Sequence, residues 1–61
     1  MSELVAFVNG DRELWVSPAH VVSIEHAGPD MAWIAMTAGR RYLVHVSAVE
    51  AAQRITDAWV F

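Results

Sequence analysis

Short runs of apolar and β-branched residues alternate with turn residues along most of this chain. Five runs are typical of strands, namely 3–8, 12–16, 21–26, 31–37 and 42–46. The segments between them contain Gly, Pro, Asn or Asp, which favour chain reversals. Because short strands joined by tight turns pair antiparallel, the pattern predicts a small β-meander of about five strands.

The one stretch with helical spacing lies near the C-terminus. Ser47-Ala48-Val49-Glu50 has the pattern of a capping box, which marks the start of a helix. The apolar stripe predicted on this helix is formed by Ala48, Ala52, Ile55 and Trp59. The fold class expected is therefore α+β: one domain over residues 1–61, with an antiparallel β-meander of about five strands followed by one C-terminal α-helix.

Local details follow from the same pattern. Ser17-Pro18 predicts a break after the second strand, with Ser17 capping a single helical turn. Glu50 and Arg54 stand four residues apart on the predicted helix, the favourable spacing for an ion pair. In the third run, Val22 and Ile24 are expected to share one face.

The first strand is apolar on both faces. One face carries Leu4, Ala6 and Val8, and the other carries Val5 and Phe7. A strand of this kind is either central in a sheet or covered on two sides.

Composition favours self-association. Hydrophobic residues make up 56% of the 61 residues, and there is no cysteine to form a disulfide or a thiolate metal site. A domain of this size buries only about 60% of its unfolded-state surface, so its own core is marginal. We expect a homo-oligomer or a complex with another protein, with an interface that includes Trp33, Ile55, Trp59 and Phe61, since large aromatic side chains are enriched at interfaces.

Charge disfavours general nucleic-acid binding. The formal net charge is −3 and the chain has four basic residues, whereas a phosphate-binding footprint needs clustered Arg or Lys. The alternative function is a small RNA- or DNA-binding regulator that would use Arg12, Arg40 and Arg41. A solvated hairpin tip is the simpler explanation of Arg40-Arg41 beside Tyr42.

Catalytic and metal-binding patterns are weak. His20, His26 and His45 lie on three separate segments, without the spacing of a metal site. No catalytic residue, cofactor or metal is expected, and a non-enzymatic protein is favoured; an enzyme would require the three histidines to converge in an assembly. No apolar run reaches the roughly 18 residues of a membrane span, so we expect a cytoplasmic protein.

The ordered turn and strand motifs resemble the small flagellar FlbD/SwrD-like proteins. The motifs that carry the resemblance span roughly residues 4–56 and are Val8-Asn9-Gly10, Val16-Ser17-Pro18, Ser23-Ile24-Glu25, Pro29-Asp30, Gly39-Arg40-Arg41-Tyr42 and Ser47-Ala48-Val49-Glu50. The resemblance implies a flagellar or swarming accessory role and no catalytic residues. In topology alone, the chain is also similar to the dimeric CsrA-type RNA-binding regulators.

Overall fold

Five strands and one helix follow one another in the order that the turn residues predict. The computed structural model describes residues 3–59 of the chain. Its elements are β1 (Val5–Asn9), β2 (Arg12–Val16), a 3-10 turn (Pro18–His20), β3 (Val21–Gly28), β4 (Met31–Met36), β5 (Arg41–Val44) and α1 (Ala48–Asp57). The α+β class, with antiparallel strands before a C-terminal helix, is confirmed.

The strands form two sheets rather than one continuous meander. β1 and β2 make a two-stranded antiparallel ribbon, and β3, β4 and β5 make a three-stranded antiparallel sheet in that order. The 3-10 turn at Pro18 separates the sheets, since proline lacks the N–H that would continue a ladder. A hydrogen bond from the His45 backbone N–H to the Val8 carbonyl, 3.0 Å long, links the end of β5 to β1.

One apolar core is shared by both sheets and the helix. Phe7 and Val16 come from the ribbon, Ile34 and Val44 from the three-stranded sheet, and α1 packs against β3 and β4. Three alanines complete the buried set: Ala32, Ala48 and Ala51. Within residues 3–59 every buried side chain of this core is apolar, so burial of hydrocarbon is its main source of stability.

Two hairpin loops depend on glycine. Gly10 is the first of two residues between Asn9 and Arg12 and has φ 66°, the position that glycine takes in a type II′ turn. Gly39 has φ 82° in the three-residue loop between Met36 and Arg40. Within residues 3–59 every residue with positive φ is a glycine.

The third strand departs from simple alternation. The pairing of β3 with β4 shifts between Val21 and Ser23, which is the signature of a β-bulge. Val21 and Ile24 both pack against the core, while Val22 is 66% exposed. The expectation that Val22 and Ile24 share a face is therefore wrong, because the bulge inserts one residue between them.

The helix begins as predicted but presents a different apolar stripe. The Ser47 hydroxyl oxygen accepts from the Glu50 backbone N–H at 3.1 Å, which is one of the two hydrogen bonds of a capping box. Ala48 and Ala51 are buried and Ile55 packs beside them, whereas the predicted Ala52 is exposed. Alanine at both 51 and 52 fits a helical period, so spacing alone could not choose between them.

Two smaller expectations had opposite outcomes. The predicted ion pair is present: Arg54 Nη2 lies 2.7 Å from Glu50 Oε2. Ser17 does precede a single helical turn, but its side chain forms no capping hydrogen bond. Its carbonyl oxygen accepts from the His20 N–H at 3.0 Å instead, so the expected side-chain cap is wrong.

Replacing Ser47 tests how much the helix cap stabilises α1. We expect Ser47→Ala to lower the free energy of unfolding by about 1 kcal/mol, since the Glu50 N–H loses its acceptor. The measurement is urea unfolding at fixed protein concentration. Ser23→Ala, at an exposed strand position, is the control and should change stability by less than about 0.5 kcal/mol. Equal losses in both variants would contradict a specific role for the cap.

Candidate interaction surfaces

The β1–β2 ribbon has a second apolar face turned away from the core. Its register places Ala6 opposite Trp15 and Val8 opposite Glu13, and these four residues together with Leu4 are called the ribbon face. Leu4, Val8 and Trp15 are 59%, 53% and 58% exposed. The expectation that the first strand is either central in a sheet or covered on two sides is not met within residues 3–59, because β1 belongs to a two-stranded ribbon with one face on the core and the other open.

The polar groups of the ribbon face partly satisfy one another. The Trp15 indole Nε1–H donates to Glu13 Oε1 at 3.0 Å. The indole therefore has an acceptor before any partner arrives, which lowers the cost of removing water from this tryptophan. The ribbon face is thus an aromatic and aliphatic surface with a single carboxylate at its side.

A cavity of about 400 Å³ lies between β2 and the β4–β5 hairpin. Ligand-binding pockets in proteins commonly have a volume in this range. Their walls are mostly apolar and carry a few polar groups. The lining residues are Leu14, Trp15, Val16, Ser17, His20, Met36, Thr37, Ala38, Arg40 and Tyr42. This group is called the β2 cavity.

Backbone hydrogen bonds hold the walls of the β2 cavity in place. The Thr37 N–H donates to the His20 carbonyl at 2.9 Å, and the two side chains meet through Thr37 Oγ1 and His20 Nδ1 at 3.3 Å. The Met36 N–H donates to the Arg40 carbonyl at 2.8 Å across the hairpin. The 3-10 turn and the β4–β5 loop are therefore tied to each other, and Arg40 is set at the cavity's rim.

The β2 cavity has a positive side chain and no acidic one among its lining residues. Arg40 is exposed and forms no ion pair within residues 3–59, where the recorded ion pair joins Arg54 to Glu50. This arrangement stands out in a chain with seven acidic and four basic residues. The cavity therefore offers an unneutralised guanidinium beside apolar walls.

The arginines proposed for nucleic-acid contact do not form one patch. Arg12 lies at the far end of β2 from Val16, about 13 Å away along an extended strand. Arg41 lies 4.7 Å from the centroid of the Trp33 ring on the outer face of the three-stranded sheet. Arg40 borders the β2 cavity instead. The alternative nucleic-acid function stays a prediction that this spacing does not favour.

The residues predicted for the interface have different environments. Ile55 packs against the core, Trp33 is half-buried beside Arg41, and Trp59 is 40% exposed just after the helix. Phe61 lies outside the described residues. The interface role of all four residues stays a prediction.

The interface predicted from the sequence did not include Trp15, although this tryptophan borders both surfaces. The signal was present in the Asn9-Gly10 turn, because a two-residue loop sets the register and places Trp15 opposite Ala6. The apolar face predicted for the first strand could therefore have been extended to Trp15 on the second strand. The β2 cavity could not be predicted in this way, since it joins residues 14–20 to residues 36–42, which are at least 16 positions apart in the sequence.

Neither a metal site nor a membrane span is found in the part of the chain that the structure describes. No three His, Cys, Asp or Glu side chains of residues 3–59 are grouped so that they could hold a metal ion. His20 lines the β2 cavity, while His26 is on β3 and His45 follows β5. No helix in the same range is long and apolar enough to cross a membrane.

Comparisons of the chain with protein-family models, with curated proteins and with solved structures gave no match. The interpretation of its function therefore depends on the two surfaces described above.

The separation of the arginines makes a testable prediction about nucleic acids. We expect no mobility shift of single-stranded RNA or duplex DNA even at low salt, where phosphate contacts are strongest. The measurement is a titration at several salt concentrations. A salt-dependent shift that is lost when both Arg40 and Arg41 are replaced by Gln would establish the nucleic-acid alternative instead.

Proposed function

We propose that this protein is a non-enzymatic interaction module that self-associates through its ribbon face. The observation that carries the proposal is the exposure of Leu4, Val8 and Trp15 on one side of the β1–β2 ribbon. Contiguous exposed apolar surface of this kind is typical of interaction sites in small soluble domains. A second copy of the chain is the partner that composition already favoured.

The small core supports this proposal. Three of the seven buried hydrophobic residues within residues 3–59 are alanines, which bury little hydrocarbon. Small domains without disulfides or structural metals commonly gain stability from association. Covering the ribbon face with an identical face would add apolar burial without burying an unpaired indole N–H.

The dimensions of the ribbon face favour a reversible complex. Two strands of five residues are about 17 Å long, and two paired strands are about 10 Å wide with their side chains. A standard protein interface covers about 800 Å² on each partner, which is well above this area. The ribbon face alone is therefore smaller than a stable interface, and association in the micromolar range needs further apolar surface beside it.

The end of the helix extends this apolar region. The Glu3 N–H donates to the Ala58 carbonyl at 3.2 Å, which brings the start of β1 to the end of α1. Leu4 and Trp59 each follow one of these two bonded residues along the chain. Trp59, one of the aromatic residues expected at the interface, is therefore positioned to enlarge the contact made by the ribbon face.

An assembly role of this kind agrees with the resemblance to FlbD/SwrD-like flagellar proteins, which implies an accessory function without catalysis. We include a flagellar or swarming role and a cytoplasmic location in the proposal. The absence of cysteine from the sequence is compatible with that location.

A lysine in the ribbon face should weaken the self-association. We expect wild-type protein to change from monomer to dimer over the micromolar range, and Val8→Lys to require at least about tenfold more protein, because the lysine removes the apolar area of the valine and adds an ammonium group that must lose water in the contact. The measurement is sedimentation equilibrium or light scattering after size exclusion. Val22→Lys, at another exposed strand valine, is the matched control and should behave as wild type.

Two results would contradict the proposal in different ways. A monomer mass for the wild type throughout the range would overturn self-association itself. Dissociation by Trp59→Ala but not by Val8→Lys would place the interface at the end of the helix and away from the ribbon face.

A further inference from the structure

The outer edge of β2 is open beside the β2 cavity. β2 pairs with β1 on one side, and among residues 3–59 no strand pairs with it on the other. Open edges are usually protected by charged residues, and Arg12 and Glu13 serve this purpose at the loop end of β2. The Trp15 end has no such charge and borders the cavity instead.

The hairpin register shows which backbone groups face that edge. The turn closes at Asn9 and Arg12, so this pair exchanges hydrogen bonds, and the pairs then alternate along the ribbon. Trp15 opposite Ala6 is a non-hydrogen-bonded pair on this count. The backbone N–H and carbonyl of Trp15 therefore point away from β1, toward the open side, where an added strand would find them.

The side chains around this edge indicate what the added strand should carry. Tyr42, Met36 and Leu14 provide apolar walls, which suit an aromatic or aliphatic side chain. Arg40 provides a guanidinium without an ion pair in the described part of the chain. The Trp15 indole N–H already donates to Glu13. A carboxylate that enters the cavity therefore has Arg40 as its charged partner.

We infer that the β2 cavity binds an extended peptide segment that pairs with the open edge of β2 at Trp15 and places a carboxylate against Arg40. Strand addition of this type takes affinity from backbone hydrogen bonds and specificity from side-chain pockets. An apolar residue and an acidic residue two positions apart lie on one face of a strand, about 7 Å from each other. Both can then enter the cavity together. This site shares Trp15 with the proposed dimer contact, but it uses the backbone edge of Trp15 and the Arg40 side chain, so variants at Val8 and at Arg40 test the two ideas separately.

The experiment is an NMR titration of ¹⁵N-labelled protein with two capped peptides. The acidic probe is acetyl-Thr-Phe-Thr-Glu-Thr-amide, and its neutral counterpart has Gln in place of Glu. We expect the acidic probe to shift the Trp15 and Thr37 amide signals and to bind about tenfold more tightly than the neutral one, the effect of one charge-assisted hydrogen bond at an exposed site.

A double-mutant cycle assigns this difference to Arg40. Arg40→Gln should weaken the acidic probe about tenfold and leave the neutral probe unchanged, so that the two probes bind the variant equally. Arg12→Gln makes the same change of charge at the other end of β2 and is the matched control, with wild-type affinity expected. Repeating the titration in Val8→Lys separates peptide binding from self-association, and the shifts should persist there.

Two further ligands test the strand pairing and the size of the ligand. The acidic probe with its alternate backbone amides N-methylated should lose affinity, since methylation removes the donors that a strand edge needs. The small molecule 3-phenylpropionate has an aromatic ring and a carboxylate, as the peptide does, but no peptide backbone. It should bind much more weakly than the peptide. Equal affinity of 3-phenylpropionate and the peptide would show a site for small carboxylates and overturn strand addition.

Several outcomes would overturn the inference as a whole. These are the absence of shifts at Trp15 and Thr37 with either peptide, equal affinity of the wild type for the acidic and neutral probes, and equal losses in Arg12→Gln and Arg40→Gln. The last result would show general charge attraction rather than a site at the β2 cavity.

Discussion

The structure depends on one small apolar core in which two sheets and a helix each use a single face. Phe7 and Val16 from the ribbon meet Ile34 and Val44 from the three-stranded sheet, and the helix contributes Ala48 and Ala51. An alanine projects only one methyl group, so α1 can approach the sheet closely while Phe7 fills the larger space, with the Arg54 guanidinium 5.7 Å from its ring centroid. Any loss of packing here is felt by all three layers at once.

A core of this size determines what remains at the surface. Once Val5 and Phe7 face inward, the alternation of β1 turns Leu4, Ala6 and Val8 outward, and the register adds Trp15 to them. No second layer of this chain covers that side within residues 3–59. Three of the six large hydrophobic side chains exposed within residues 3–59 lie together on this face, while the other three lie on β3, on α1 and just after α1. Three apolar side chains on one face favour contact with a partner there.

The order and kind of the elements could be predicted because turn residues and caps act locally. Gly10, Gly39 and Ser47 each determine a reversal or a helix start through bonds to residues within four positions. The bulge at Val22 and the choice of Ala51 over Ala52 could not be predicted in the same way. Both depend on which side chains the other layers leave room for, and that information is spread over the whole chain.

The two candidate surfaces also differ in how far the local sequence determines them. The ribbon face follows from one hairpin, so the alternation of β1 and the length of its loop contain nearly all the information. The β2 cavity requires the His20 turn to bind Thr37 and the β4–β5 hairpin to bring Arg40 toward Val16. Arg40 and Arg41 look alike in the sequence, yet one borders a cavity and the other stacks on Trp33. Adjacent residues near a strand point to opposite sides of it, so a pair of basic residues at a hairpin is better regarded as two separate charges than as one patch.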